Sequence, residues 1–309
     1  MRRVARLRKH WQATGARLTR TAGSQGNVCD MVKMGSVWDR TAEFLSDNLG
    51  AVLPIALLTF FVPMSILRSL SPIVATASGS LALTVGAIEL ALVVAVFWGM
   101  LTITVMALDF VSAAGQTAPS IATRRLLPTL LVSIALFVVS LAALQPVPLI
   151  LIAAGVDVEA AARTGMVAIP RGTAWLIVGY FLLVAVLFLW ASARLSVVVP
   201  VILREKKSFG ALSRSWRLTR GYALRIIGVL ILYAVVSLVS ALAALTVFGS
   251  ILSLILGNDG DTISLASVLT SIVVAAVQTA FMVIPPVFTA KLYVALTAQA
   301  GLHQNEAAV

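Results

Sequence analysis

The sequence predicts an all-α integral membrane protein with six transmembrane helices, cytoplasmic in-plane amphipathic helices and a candidate internal repeat of helical hairpins. Its 309 residues are 60% hydrophobic and 11% charged, with a mean hydropathy of +1.02, whereas soluble domains carry about 25% charged residues. The net charge of +11 comes from Lys and Arg that lie beside apolar stretches. This arrangement favours an anionic lipid surface, and we expect no nucleic-acid partner, because nucleic-acid binding needs a soluble basic face.

Six stretches contain the roughly 20 predominantly apolar residues that a helix needs to cross a bilayer. They are residues 49–67, 86–108, 126–150, 174–194, 226–248 and 265–284. Several prolines fall near the span ends, and Pro285–Pro286 is predicted to close the sixth span. Because a proline in lipid leaves a backbone carbonyl unpaired unless a neighbouring group reaches it, we expect kinks.

The distribution of Lys and Arg predicts the orientation of the spans. Nine precede the first span and seven lie between the fourth and fifth spans, whereas the opposite face has Arg68, Arg163 and Arg171. Both termini are therefore predicted to be cytoplasmic, in a multi-pass protein of the bacterial inner (plasma) membrane.

Three regions are predicted: a basic N-terminal extension at residues 1–30, a six-span membrane domain at 31–300 and a polar C-terminal tail at 301–309. The first 28 residues hold seven basic residues and no acidic one. Such a start resembles an organelle transit peptide. The interpretation that we prefer is that translation begins at Met31 or Met34.

A strongly basic segment directly precedes the fifth span. Its apolar residues recur at helical spacing and share one face of a helix, at about 100° per residue: Phe209, Leu212, Trp216, Thr219 and Ala223. Ser208 is a candidate N-cap and Gly221 a candidate stop. A basic amphipathic helix with tryptophan on its apolar side is typical of the membrane interface.

The residues predicted to contact lipid at this interface are Lys206, Lys207, Arg214, Trp216, Arg217, Arg220 and Arg225. The alternative is that the charges serve only as an orientation signal. That alternative explains the charges but leaves Trp216 and the apolar face unexplained.

A repeat is suggested by two segments that each precede an outward span. Trp38 stands twelve residues before Gly50, as Trp216 stands before Gly228, and a threonine follows each tryptophan by three residues. With "SIATRRLLPTLLVSIALF" as a third copy, the unit would be an in-plane helix followed by a transmembrane hairpin.

The stretch "RLSVVVPVILREKKSFGALSRSWRLTRGYALRIIGVLIL" and the later "PPVFTAKLYVAL" resemble the glycerophosphoryl diester phosphodiesterase membrane domain family. The resemblance covers the second half of the chain and extends to the first half by topology alone. It implies a six-span helical module of undefined activity. In some members a soluble phosphodiesterase barrel supplies the chemistry, and such a barrel needs roughly 250 residues.

Ionisable residues at membrane depth are few, so we expect no catalytic residue, no cofactor and no metal, and we expect that the protein is not an enzyme. Both histidines lie in polar tails and Cys29 is the single cysteine. Glu89 is predicted to pair with Arg68 near the outer interface, in preference to forming a proton or substrate site.

The function predicted from the sequence is a non-catalytic membrane protein that engages anionic phospholipids at the cytoplasmic leaflet, in lipid or envelope handling. A small secondary transporter is the first alternative, based on the repeat and the prolines. An assembly or scaffold subunit is the second, based on small residues in the second span. A protein partner or homo-oligomer is left open.

Overall fold

The computed structural model describes residues 32–67, 78–108, 117–156, 170–205, 209–256 and 265–306. The regular structure in these ranges is entirely helical. The helices are α1 Met34–Asp47, α2 Leu49–Ala56, α3 Gly79–Ala107, α4 Ala118–Ala142, α5 Pro146–Ala153, α6 Arg171–Leu195, α7 Val198–Glu205, α8 Gly210–Leu218, α9 Ala223–Ala243, α10 Gly249–Leu256 and α11 Leu265–Glu306. Two π-helical segments, Leu57–Phe61 and Ala244–Phe248, follow α2 and α9.

Six of the resulting helical stretches are long and apolar enough to cross a membrane, which confirms the predicted all-α fold and the number of spans. Spans 1 to 6 are Leu49–Leu67, Gly79–Ala107, Ala118–Ala153, Arg171–Glu205, Ala223–Leu252 and Leu269–Gly301. All but the first exceed the minimum length of about 20 residues, which a span accommodates by tilting or by extending into the interface.

Spans 2 and 6 form the packed centre of the protein. In each of them 39% of the most apolar window is buried inside the protein, compared with 6% in spans 4 and 5. Leu101, Ile103 and Val105 of α3 and Val287 and Leu292 of α11 are almost completely buried. Spans 4 and 5 therefore present most of their apolar surface outward, as helices that border lipid do.

Span 1 packs against span 2 at a point where only glycine fits. A Cβ atom on Gly99 would lie 2.0 Å from Oγ1 of Thr59 and 2.4 Å from its Cβ. Thr59 lies in the π-helical segment of span 1, and its hydroxyl donates to the Ile55 carbonyl at 2.7 Å. The hydroxyl thus pairs a carbonyl inside the span while its side chain occupies the space that Gly99 leaves free.

The prediction that Pro285–Pro286 closes the sixth span is wrong, because α11 continues through both prolines to Glu306. Pro285 has no N–H to donate to the carbonyl four residues earlier, which belongs to Phe281. The Tyr233 hydroxyl of α9 donates to that carbonyl at 2.9 Å. A neighbouring helix therefore supplies the missing hydrogen bond and allows the span to continue.

The two tryptophan segments that suggested a repeat have the same local structure. Trp38 and Trp216 are 43% and 40% exposed, whereas Thr41 and Thr219 are buried and donate to carbonyls four residues earlier at 2.8 and 2.9 Å. Each segment forms a short helix that ends just before its span, α1 at Asp47 and α8 at Leu218.

The third candidate copy of the repeat departs from this pattern. Helix α4 runs without a break from Ala118 to Ala142. Breaks occur at Asn48 and around Gly221 in the other two segments, and "SIATRRLLPTLL" offers no comparable asparagine or glycine. A separate short helix thus precedes spans 1 and 5 but not span 3.

Substitution of Gly99 by alanine should destabilise the protein by about 1–3 kcal/mol, the usual cost of overpacking. Gly86→Ala in the same helix is the matched control, because a Cβ there meets nothing within 4 Å. That variant should gain about 0.5–1 kcal/mol from helix propensity. Unfolding by denaturant in bicelles measures both, and equal stabilisation by the two substitutions would contradict the close contact.

A double-mutant cycle should show that Tyr233 compensates for Pro285. Tyr233→Phe should cost about 0.5–1 kcal/mol, since it removes the donor to the Phe281 carbonyl. In a Pro285→Ala background the backbone N–H can pair that carbonyl, so the same substitution should cost clearly less. Unfolding free energies of the four proteins measure the coupling, and additive effects would show that the two residues act separately.

Candidate functional site

Helix α8 is the element around which the candidate site is built, and it packs through small side chains. Ala211 and Ser215 are completely buried, and Leu218 is 8% exposed. The face predicted to be apolar is divided: Thr219 and Ala223 are buried, whereas Phe209 is 63% and Trp216 40% exposed. Small residues let α8 approach the neighbouring helices closely, while its aromatic residues remain on the outside.

Two hydroxyl groups attach α8 to the end of α6. Ser215 Oγ donates to the Arg194 carbonyl at 2.8 Å. Thr219 Oγ1 shares its single proton between that carbonyl, at 3.1 Å, and the Ser215 carbonyl, at 2.9 Å. The last carbonyls of a helix have no partner within that helix, and α6 ends at Leu195. The contact therefore pairs an otherwise unsatisfied carbonyl and fixes α8 against span 4.

The chain then turns into span 5 at Gly221, as the sequence predicted. Gly221 has φ of +91°, in a region that residues with a Cβ rarely adopt. Helix α9 starts two residues later at Ala223. Ser208, the predicted N-cap of this segment, lies outside the described residues.

A basic cleft of about 360 Å³ lies between α8, the Gly221 turn and the C-terminal part of α11. It is lined by Arg214, Arg217, Leu218, Arg220, Tyr222, Leu296, Gln299 and Ala300. Three of the arginines predicted to contact lipid thus share one concave surface. The sequence did not predict that these arginines meet α11. Tyr222 and Gln299 are the polar residues of the site that it missed.

The hydrogen bonds around the basic cleft leave it with a surplus of positive charge. Arg214 Nε pairs with Glu205 Oε1 at 3.1 Å, and both side chains are partly exposed; such pairs contribute about 0–1 kcal/mol. Tyr222 donates to Gln299 Oε1 at 2.6 Å. Arg217 and Arg220 are exposed and have no ion pair within the described part of the chain, so an anion can approach them.

A second cationic group, Arg194 of α6, lies against the opposite flank of α8, between two tryptophans. Its guanidinium carbon lies 5.5 Å from the ring centre of Trp190 and 5.2 Å from that of Trp216. The two indoles meet edge to face at 4.8 Å. Each cation–π contact contributes about 0.5–2 kcal/mol, depending on desolvation.

The Arg194 guanidinium is incompletely paired. Its Nε and Nη1 atoms are enclosed and have no hydrogen-bond partner among the described residues. An enclosed donor without an acceptor costs about 1–3 kcal/mol, and more when it is charged. Arg194 was not identified as a site residue from the sequence, and this arrangement was missed. The spacing of Trp190 and Arg194, four residues apart on one helix, could have signalled the first contact.

The remaining predicted site residues lie away from the basic cleft or outside the described residues. Arg225 is exposed in the first turn of α9 and does not line the basic cleft. Lys206 and Lys207 lie outside the described residues. So does Arg68, and its pairing with Glu89, which is partly buried in α3, stays a prediction.

Two apolar grooves lie along span 6. One of about 310 Å³ is lined by spans 1 and 6, and one of about 400 Å³ by α1, span 5 and span 6. Among the described residues that line these grooves, Asp39 is the single acidic or basic one. Within the described ranges, no three His, Cys, Asp or Glu side chains come together as metal ligands. The grooves suit hydrocarbon better than a polar substrate.

The basic cleft and Arg194 lie in the part of the chain that matches a known family model. The model of the family described as the membrane domain of glycerophosphoryl diester phosphodiesterase matches residues 168–308. This part of the chain matches that family. The match confirms the resemblance found in the sequence, and with the six apolar helices it supports a multi-pass membrane protein.

The glycerophosphoryl diester phosphodiesterase membrane-domain match covers spans 4 to 6 together with α7 and α8. Every lining residue of the basic cleft lies within it, as do Arg194, Trp190 and Trp216. Spans 1 to 3 lie outside it. No curated protein and no solved structure matches the chain.

Proposed function

We propose that this protein is a non-catalytic multi-pass protein of the bacterial inner membrane that binds anionic phospholipids at the cytoplasmic leaflet. The observation that carries the proposal is the basic cleft, where Arg214, Arg217 and Arg220 line one concave surface. A role in lipid or envelope handling follows from such binding.

The chemistry of the basic cleft suits a phosphate group. Arginine presents a planar fork of donors that matches phosphate oxygens and binds them bidentately. Arg217 and Arg220 are exposed, and each basic residue near an anionic leaflet contributes about 1 kcal/mol. Glu205 offsets part of the Arg214 charge, so the cleft retains about two net positive charges.

The exposed aromatic residues of α8 support its position in the membrane interface. Phe209 and Trp216 are exposed although the helix packs tightly elsewhere. In an in-plane helix these side chains would enter the acyl boundary while the arginines face the phosphates. Both the apolar contact and the charges would then hold α8 at the leaflet surface.

The cytoplasmic side is inferred from the positive-inside rule. The basic cleft belongs to the connection with seven Lys and Arg, and positive residues concentrate in cytoplasmic connections. Six crossings place both termini on this same side.

The composition of the spans supports a non-catalytic role. Catalysis by acid, base or nucleophile needs ionisable side chains that meet in a cavity. The grooves along span 6 are lined almost entirely by apolar side chains, and the basic cleft supplies cations and hydroxyl or amide groups without a histidine.

A small secondary transporter is the alternative function. Two π-helical segments, Leu57–Phe61 and Ala244–Phe248, interrupt spans 1 and 5, and such segments occur often at functional sites. Pro285–Pro286 lies within span 6. A further cavity of about 280 Å³ along span 6 offers polar side chains, namely Tyr233, Ser237, Gln278 and Thr279. Because none of these carries a charge, whereas the basic cleft holds three arginines, we favour lipid binding over transport.

Loss of the three cleft arginines should remove most of the preference for anionic lipid. Full-length protein with Arg214→Gln, Arg217→Gln and Arg220→Gln should lose about 1 kcal/mol per charge from its preference for spin-labelled phosphatidylglycerol over phosphatidylcholine. The difference from wild type should shrink as salt rises, because salt screens exposed charges. Electron spin resonance in reconstituted membranes measures the two association constants.

The matched control removes three charges elsewhere, by Arg40→Gln, Arg124→Gln and Arg125→Gln. These residues do not line the basic cleft, so this variant should keep most of its preference. Equal losses in the two variants would show that the total charge, rather than the cleft, selects the lipid. A separate flux assay in the same membranes tests the transporter alternative.

Reporter fusions test the proposed orientation. Reporters after residues 75, 165 and 260 should all indicate the outer compartment, because these positions lie in the connections with few basic residues. A cytoplasmic signal at residue 260 would put the basic cleft on the outer side and contradict the proposal.

A further inference from the structure

We propose that Arg194, together with Trp190 and Trp216, forms a second phosphate-binding site on the flank of α8 that faces away from the basic cleft. The ligand is a phosphate oxyanion, either the headgroup of a membrane phospholipid or free phosphate. The proposal does not depend on the basic cleft, because the two sites share no side chain.

The two sites are separated by the geometry of α8 itself. Successive residues of a helix are about 100° apart, so Arg214 and Trp216 point about 160° away from each other. Arg214 lines the basic cleft toward α11, whereas Trp216 contacts Arg194 of α6. The buried residues Ala211 and Ser215 lie on the packed face between these flanks.

The unpaired N–H donors of Arg194 indicate which chemical group the site would bind. The indole rings accommodate the positive charge, but they supply no oxygen or nitrogen acceptor for Nε and Nη1, which have no hydrogen-bond partner among the described residues. No acidic side chain of the described chain reaches them, and Glu205 pairs with Arg214 instead. An oxyanion with two acceptor oxygens would pair the planar fork of the guanidinium.

The surroundings strengthen such a bond. Trp190 and Trp216 exclude water from the guanidinium, and a hydrogen bond is stronger at the resulting low dielectric. Arg194 lies in the last turn of α6, and tryptophans at the ends of spans sit at the level of the headgroups. A lipid phosphate is therefore the nearest source of the ligand.

Access to the enclosed nitrogens requires one tryptophan to move. Trp190 and Trp216 are equally exposed, at 40% each. We assign the movement to Trp216, because α8 is held by the Ser215 and Thr219 hydroxyls rather than by this ring. Rotation of Trp216 opens the Arg194 edge without detaching α8. Phosphate binding should therefore change the environment of the Trp216 indole.

The test uses full-length protein in maltoside micelles, which contain no phosphate, with Arg214, Arg217 and Arg220 replaced by Gln so that the basic cleft cannot produce the signal. One arm titrates inorganic phosphate, and the other raises the mole fraction of phosphatidylglycerol in the micelle. Tryptophan emission and melting temperature are measured in both arms. Emission should shift on binding, and the shift should disappear in Trp216→Phe while the thermal stabilisation by the anion remains.

Arg194→Lys should weaken binding about tenfold, which corresponds to ~1.4 kcal/mol, because lysine keeps the charge but loses the bidentate fork. Arg171→Lys, in the first turn of the same helix, is the matched control and should bind like its parent. A response to phosphatidylglycerol alone assigns the site to a lipid headgroup, and a response to inorganic phosphate alone assigns it to the free ion. A response in both arms assigns it to the phosphate group of either source.

The proposal is overturned if neither arm gives a response that depends on Arg194. It is also overturned if Arg194→Lys lowers the melting temperature but leaves the dependence on anion concentration unchanged. That result would mean that Arg194 only joins α6 to α8 through its contacts with the two indoles.

Discussion

The need to pair every backbone carbonyl in a medium without water is the constraint on which the rest of this structure depends. Hydrocarbon offers no donor to a carbonyl that proline or a helix end has released. In this protein hydroxyl side chains supply the donors: Tyr233 reaches the Phe281 carbonyl released by Pro285, and Ser215 and Thr219 reach the carbonyl of Arg194. These contacts join span 5 to span 6 and α8 to span 4.

The same contact that pairs the Arg194 carbonyl also arranges the charged side chains. Because Ser215 and Thr219 must face span 4, α8 presents its arginines on one flank and Trp216 on the other. Trp216 is thereby brought over the guanidinium of the very residue whose carbonyl is bound. One backbone requirement thus determines where both cationic sites form.

The two cationic sites differ from the packed centre in the exposure of their side chains. Spans 2 and 6 form that centre, whereas only 6% of the most apolar window of spans 4 and 5 is buried. Arg194 lies in the last turn of α6, and the basic cleft lies between α8 and the C-terminal part of α11. The arginines and tryptophans of both sites are partly or largely exposed, whereas Leu218 and Leu296, which line the cleft beside the arginines, are buried. The matched family region, residues 168–308, contains both sites but only half of the spans.

Sequence alone determined the features that depend on composition and on local spacing. A 20-residue apolar run has few alternatives to a transmembrane helix, and Gly221 signalled its turn because few other residues adopt positive φ. Tertiary structure decided the features that depend on partners distant in the chain. The Pro285–Pro286 pair looked like a helix end because its compensating donor, Tyr233, lies 48 residues from the carbonyl it pairs. The Arg194 site likewise needed Trp216, which only the folding of α8 onto α6 brings within 5.2 Å.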